Sequence, residues 1–354
     1  MKDKFNYIVL LLLATVIFTA CSEMIKNTTP GAILLRNATV IDGNGGAPME
    51  HIDVLLQGDT ILNIGKNLDT TGILVIDLTG KTIIPALISA HVHIGTLKGT
   101  GTAIGNYTRG NILSQLKKYE DYGVLNLLSM GTDRPLLYAG GLYDSLKAGL
   151  LPGARMHAAG HGFGVPEGAP APGGIMDLLY RPANPAAVPA EMDSLAKLQP
   201  EVVKIWVDDF GGKFKKMDPA IYKAIIDEAH KHKLRVLAHV WYLGDARKLV
   251  ADGIDIIGHS IRDSLVDDAL VQEMKAKNVL YIPTLSLDEF AYIYARRPDW
   301  IDDPFFKSSL EPGVYEMITA PGYADSLKKS PGYARNLAAF ETALKNLEKL
   351  YHAG

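Results

Sequence analysis

The chain has 354 residues, 47% of them apolar, enough for one large and one small domain with buried cores and too apolar for a disordered protein. Its 36 Lys and Arg against 39 Asp and Glu leave a net charge of -3 without a basic block. That balance excludes an electrostatic surface for nucleic acid, and a small molecule is the expected ligand.

At the N-terminus, Lys2 and Lys4 precede an apolar run from Tyr7 to Phe18 that is short for a membrane span, and Ala20 then precedes Cys21. This is the pattern of a bacterial lipoprotein: a signal peptide over residues 1–20, Cys21 as the lipidated residue, and a polar tether over 21–30. Cys21 is the only cysteine, so no internal disulfide is possible. The expected location is the bacterial cell envelope, with the membrane reached through the lipid on Cys21. A homo-oligomer is compatible with the composition.

Residues 31–84 read as short strands and turns: Ala32 to Leu35, Ala38 to Ile41, Asp53 to Gln57 and Thr60 to Gly65, separated by Asp42-Gly43-Asn44-Gly45-Gly46 and Gly58-Asp59. Strands of this length without intervening helices predict a partial β-sandwich. From Pro85 to 354 the pattern changes to alternating strand and helix, the grammar of a parallel barrel. Expected strands are Ile83 to His93, Val124 to Met130, Arg155 to Ala159, Val202 to Val207, Arg235 to Val240, Asp255 to His259 and Leu280 to Pro283.

Between them, Asp218 caps a helix that has Pro219 at its first position and Ile221, Ile225, Ile226 and Ala229 on one face. A second helix runs from about Ala246 to Asp252 and stops at Gly253. From Leu285 to Tyr333 five prolines break any long helix, which makes this stretch either a substrate lid or an irregular surface insertion. Leu337, Phe340, Leu344, Leu347 and Tyr351 then mark a final helix.

Chemistry concentrates at strand ends. His91-Val92-His93 places two imidazoles on one side of an extended segment, which suits a divalent metal as well as a pair of core histidines. His239 and His259 end two successive strands, the position at which barrels hold catalytic groups. Lys204 is a charge inside an apolar strand. His161 and Arg262 follow other strand ends; His161 is a candidate for substrate contact, and Arg262 for clamping a substrate carboxylate or pairing with Asp263 or Asp267. Asp208 and Asp209, just past the Lys204 strand, are within reach of the site, although capping or solvated loop roles suit them better.

Taken together, Ile41-Asp42-Gly43, Gly80-Lys81-Thr82-Ile83-Ile84-Pro85, His91-Val92-His93, Val203-Lys204-Ile205, Glu228-Ala229-His230, Ala238-His239, Gly258-His259-Ser260 and Ile282-Pro283-Thr284-Leu285 resemble the amidohydrolase superfamily, in its imidazolonepropionase-like and prolidase-like branch. The resemblance covers about residues 32 to 354. It implies a (β/α)8 TIM-like barrel of the metal-dependent hydrolase type with one or two divalent metal ions, zinc first among them. His91 and His93 would hold the deeper ion, His239 and His259 the outer one, and Lys204, as a carbamate, would bridge the two. Lys204 and His239 would then serve catalysis, and the reaction would be hydrolysis of an amide or other C–N bond of a dipeptide, acyl-amino acid or cyclic amide.

The chain departs from that family at Ala86 and Ser89, where Gly and Asp are usual. It also stops before the eighth strand, whose Asp completes the deeper site. The expectation is therefore a C-terminally truncated member, with a non-catalytic surface lipoprotein that keeps a binding barrel as the alternative.

Overall fold

A computed structural model describes residues 31–290 and 292–354. The signal peptide, Cys21 and the tether lie outside the described residues. The chain divides after Pro85 into two compact units.

In the first unit, β1 (Ala32–Val40), β2 (Met49–Gln57), β3 (Thr60–Gly65) and β4 (Leu74–Asp77) form one sheet in the order β3-β2-β1-β4, and β5 (Thr82–Ile83) also pairs with β1. The β1-β2 and β2-β3 pairings are antiparallel, whereas β4 and β5 run parallel to β1. Strand alternation puts Ala38 and Val40 of β1 with Ile52 and Val54 of β2 in one small apolar cluster. Where a partial sandwich is expected, the described residues form this one five-stranded sheet. The two strands expected over 32–41 are one, bulged where Asn37 takes a left-handed backbone with φ 58°. β4 was too short an apolar run to be read as a strand.

In the second unit, β6 (Leu87–Val92) is followed by a small hairpin of β7 (Leu97–Lys98) and β8 (Gly101–Thr102). Then come β9 (Val124–Ser129), β10 (Arg155–Ala158), β11 (Val202–Val207), β12 (Arg235–Val240), β13 (Ile256–Gly258) and β14 (Leu280–Ile282). The expected strand from Ile83 to His93 is two: β5 belongs to the small sheet and β6 starts a new one, because Pro85 has no N–H to continue a ladder. Apart from the hairpin, all strands of this unit pair in parallel, as β10-β9-β6 and β11-β12-β13-β14. A backbone bridge between Phe163 and Ile205 links the two sheets.

Helices return the chain between strands. Asp218 accepts a hydrogen bond from Ala220 N to cap Pro219–Lys231, and Asp267 caps Asp268–Ala276 in the same way through Leu270 N. The first of these helices buries Ile225, Ile226 and Ala229 in one cluster with the outward row of β11 and β12, namely Val203, Ile205, Val236, Ala238 and Val240, and the second adds Leu270 and Met274 to the same cluster. The inward row makes a separate cluster of Val202, Leu237, Ile256, Met130 and Ala159, the packed interior of a barrel.

Seven parallel strands do not complete a ring: among the described residues no pairing joins β14 to β6. A cleft of about 600 Å³ lies between them, lined on one side by Ile88 to His93 and on the other by His259, Ile282, Thr284 and Leu287. Ile88, 71% exposed, marks the uncovered edge.

The stretch from Leu285 to Tyr333 holds short helices, Leu285–Phe290, Pro304–Ser309, Val314–Thr319 and Tyr323–Lys328, rather than an irregular loop. It is fastened to the helix Arg109–Asp121 by Lys118, whose Nζ donates to Leu310 O at 3.0 Å and to Glu311 at 3.1 Å. Among the described residues no helix is long and apolar enough to cross a membrane.

The final helix, Tyr333–Ala353, is held from inside. Asn346, 1% exposed, accepts from Val266 N at 2.9 Å and donates to Ile261 O at 2.8 Å and Ser264 O at 2.9 Å. Asn346→Ala strands two buried backbone groups, Val266 N and Ile261 O, and should cost about 2 kcal/mol, read as a lower urea midpoint; a loss under about 0.5 kcal/mol would mean that water replaces the amide.

Candidate metal centre

Alternation along the barrel strands decides which side chains meet. On β11, Val203, Ile205 and Val207 face outward, so Val202, Lys204 and Trp206 form the inward row. Lys204 is 0% exposed and forms no ion pair among the described residues. Its Nζ lies 3.5 Å from His91 Nε2 and 5.2 Å from the centre of the Trp206 ring. Burial holds its pKa well below that of a free lysine, which favours the neutral amine.

Trp206 is in register with His239 on β12, and His91 sits on β6 with His93 one residue beyond the strand end. His259 follows β13. The four rings gather: His91 is 5.8 Å from His93 and 4.4 Å from His259, and His239 is 4.2 Å from His259, centre to centre.

Three of the rings are fixed from behind. His93 Nδ1 meets Thr132 Oγ1 at 2.8 Å, His239 Nε2 meets Asp208 Oδ2 at 2.9 Å, and His259 Nδ1 meets Thr284 Oγ1 at 2.8 Å. Each bond leaves the opposite ring nitrogen free, the arrangement by which metal-binding histidines are oriented. His91 Nδ1 is buried without a partner. His259 and Thr284 both take left-handed backbones, with φ of 67° and 47°, a local strain that their mutual bond helps to hold.

Electrostatics keep the rings neutral. Burial, joined by the nearby Lys204, pushes His93 and His239 down to about 4, the latter against the pull of Asp208. Burial also holds His91 and His259 well below the ordinary histidine value. Neutral imidazole is the ligand form for a divalent ion.

The spacing is a separate matter, because no three His, Cys, Asp or Glu side chains among the described residues stand in a geometry that could hold a metal ion. The donors fit in chemistry and in anchoring, and binding requires the rings to close in.

Other expected residues fall elsewhere. His161 forms a backbone bridge with Thr132 and stands 5.8 Å from Tyr180, outside the four-ring cluster, with its Nε2 buried and unpartnered. Arg262 is buried against Trp241 and faces Asp288, with Nε 3.3 Å from Oδ1, instead of Asp263 or Asp267. Asp263 accepts from Leu243 N, and Asp267 binds Arg247 and caps a helix.

The two readings of Asp208 and Asp209 divide between them: Asp208 reaches the site, buried against His239, while Asp209 takes the loop role by accepting from Gly211 and Gly212 N. The signal for Asp208 was its place directly after a fully apolar strand end. Gly131 and Gly162 were missed. A Cβ on Gly131 would stand 3.0 Å from the Lys204 stem, and one on Gly162 would stand 2.5 Å from the Trp206 ring, so both glycines make room for the inward row of β11.

Parallel β/α strands with polar groups gathered at their C-terminal ends define an open relative of the TIM barrel. No family model matches the chain. Over 91% of its length it superposes on an Xaa-Pro dipeptidase with bound methionine (TM-score 0.65, 20% identity, 77% of that chain). It superposes over the same share on a prolidase complexed with N-methylphosphonate-L-proline (0.66, 19%, 76%) and on A. niger ochratoxinase (0.63, 16%, 74%). The chain therefore has the fold of prolidase-like and amidohydrolase proteins.

In sequence it is 39% identical over 62 residues to a dihydroorotase of Caldanaerobacter subterraneus subsp. tengcongensis, and 29% identical over 212 residues to an uncharacterized protein of Mycobacterium tuberculosis. Those matches span 18% and 60% of this chain, but only 14% and 53% of the two relatives.

Proposed function

We propose that this chain is a metal-dependent hydrolase acting on an amide or other C–N bond of a small substrate, such as a dipeptide, an acyl-amino acid or a cyclic amide. The observation that carries the reading is the convergence of four neutral histidines, three of them anchored from behind, on a buried lysine that has no counter-ion among the described residues. The fold shared with a dipeptidase, a prolidase and ochratoxinase supports it.

In this reading His91 and His93 would hold one divalent ion, zinc first among the candidates, and His239 and His259 would hold a second. Lys204 would supply an anionic ligand as a carbamate, its neutral amine forming a bond to the carbon of carbon dioxide and losing one N–H proton to solvent. When bound, a divalent ion supplies an acidified water and a Lewis acid for the carbonyl. Asp208 keeps His239 in one tautomer and orientation, and Thr132 and Thr284 do the same for His93 and His259. The lipid anchor on Cys21 and the cell-envelope location belong to the same proposal, supported by Lys2, Lys4 and the apolar run before Cys21.

A second reading, a non-catalytic lipoprotein that binds a ligand in the barrel, is favoured by one observation: the donors do not close on an ion as they stand. One experiment separates the two. The purified chain is assayed for metal content and for hydrolysis of proline dipeptides, N-acyl amino acids and cyclic amides, with and without chelator. The hydrolase reading expects chelator-sensitive turnover, and Asp208→Asn should weaken metal binding about 10- to 100-fold while the fold persists. A folded chain with neither metal nor turnover would leave only the binding reading.

A further inference from the structure

Beside the four histidines lies a second, smaller pocket of about 160 Å³, lined by Trp241, Arg262, Leu287, Asp288, Asn336 and Ala339. Leu287 also lines the cleft that exposes His91, His93 and His259, so the two spaces share a wall at that residue.

The pocket contains two charged groups taken out of water. The side chains of Arg262 and Asp288 are 6% and 7% exposed. Nη1 of Arg262 donates to Ser260 O at 2.8 Å, but its Nε has no hydrogen-bond acceptor, and Oδ2 of Asp288 has no donor. Both unused atoms are buried, and a buried donor and acceptor left unmade are costly. The 3.3 Å ion pair cancels the two charges without satisfying these atoms. Trp241 supplies an apolar floor, with the guanidinium of Arg262 at 4.1 Å and that of Arg335 at 4.5 Å from its ring centre.

We infer that this pocket is a recognition subsite for an uncharged amide or ureide group. Such a group carries one acceptor and one donor side by side: its carbonyl oxygen accepts from Arg262 Nε–H while its N–H donates to Asp288 Oδ2. A free carboxylate would meet Asp288, and an ammonium would meet Arg262 and Arg335, each at a desolvation cost that a neutral group avoids. The volume is that of a cavity able to hold benzene, about 150 Å³, so the amide would sit on a short apolar arm against Trp241, Leu287 and Ala339. The position deepens the proposed function and rests on it for its role: a substrate cleaved at the histidines would carry a second amide-like group, held beyond Leu287.

The test uses three probes with the same three-carbon skeleton, propionamide, propionate and propylammonium, titrated against the chain as purified and followed by saturation-transfer NMR. The readout is binding and not turnover, so failure of the hydrolase reading leaves this result standing, and the reverse also holds. Propionamide is expected to bind at least about tenfold more tightly than either ion. In Asp288→Asn, which removes the countercharge on Arg262, the order should invert in favour of propionate, a change that a purely structural role for Asp288 would not produce.

Equal binding of the three probes, no binding by any, or an unchanged order in Asp288→Asn would overturn the inference. If that variant does not fold, the wild-type ladder decides alone: selectivity for the amide sustains the assignment, and its absence ends it.

Discussion

Lys204→Met should make the protein more stable and less active. Lys204 is fully buried, has no ion-pair partner among the described residues, and is held well below its ordinary pKa by burial. Folding must therefore strip the amine of its proton or leave a charge in an apolar interior, and either costs free energy. Methionine keeps the length and flexibility of the side chain without the amine. A gain on the order of 1–3 kcal/mol at pH 7 is expected from removing a buried polar group that has no strong partner.

Under the proposed hydrolase reading, turnover and metal affinity should fall by about 10- to 100-fold, because the ligand expected from Lys204 is lost. The pH dependence identifies the cause. The unfolded lysine titrates near 10.4, so between the lowered folded value and that pH the unfolded chain binds up to one more proton than the folded one. Wild-type stability should then rise with pH from 7 toward 10, by up to about 1.4 kcal/mol per unit from this group, and Lys204→Met should lack that component. Urea unfolding at pH 7, 8 and 9, in chelator and without bicarbonate, measures both. A destabilised variant, or equal slopes, would mean that Lys204 has a partner that keeps it charged.

The parts of this architecture legible in the sequence are those set by short-range pattern. β11 and β12 appear at their expected bounds because continuous apolar runs between capped helices have few other readings. The Asp218 cap and Pro219 start appear for the same local reason. The parity of His91 and His93, and of Val202, Lys204 and Trp206, follows from a two-residue repeat and needs no tertiary information.

What was not legible depends on contacts between distant segments. Thr132, Asp208 and Thr284 are ordinary polar residues after strands until the fold brings them behind His93, His239 and His259. The partner of Arg262 is Asp288, 26 positions away on the far side of β14, although Asp263 stands next to it in the chain. Asn346 reads as a polar interruption in an amphipathic helix and is in fact its internal anchor. The break at Pro85 was visible, but its consequence was not: the residues on its two sides belong to different sheets.

The second large effect concerns zinc. Adding zinc to chelator-treated protein should raise its melting temperature, because an ion that binds only the folded chain stabilises by RT ln(1 + [L]/Kd), about 4 kcal/mol at a thousandfold excess over Kd. At about 2–4 °C per kcal/mol for a domain of this size class, the expected shift is about 10 °C. Replacing one histidine of each pair, as His93→Ala with His259→Ala, should remove the shift, whereas His161→Ala should keep it, since His161 stands outside the cluster.

The shift should also survive mild acid. Burial pushes His93 and His239 down to about 4, so the folded rings stay proton-free well below the ordinary histidine value of about 6.5, and competition from protons begins only as the pH falls toward 4. The metal-free fold behaves differently over the same interval. Its unfolded histidines take up protons below about 6.5 while the buried rings do not, so its stability declines from pH 6.5 toward 4. Melting curves at pH 7.5 and 5.5 should therefore show a lower apo midpoint at 5.5 with the zinc increment undiminished. An increment that vanishes by pH 6 would mean that the rings are solvated, and that His93 and His239 do not form the buried donor pair on which the centre depends.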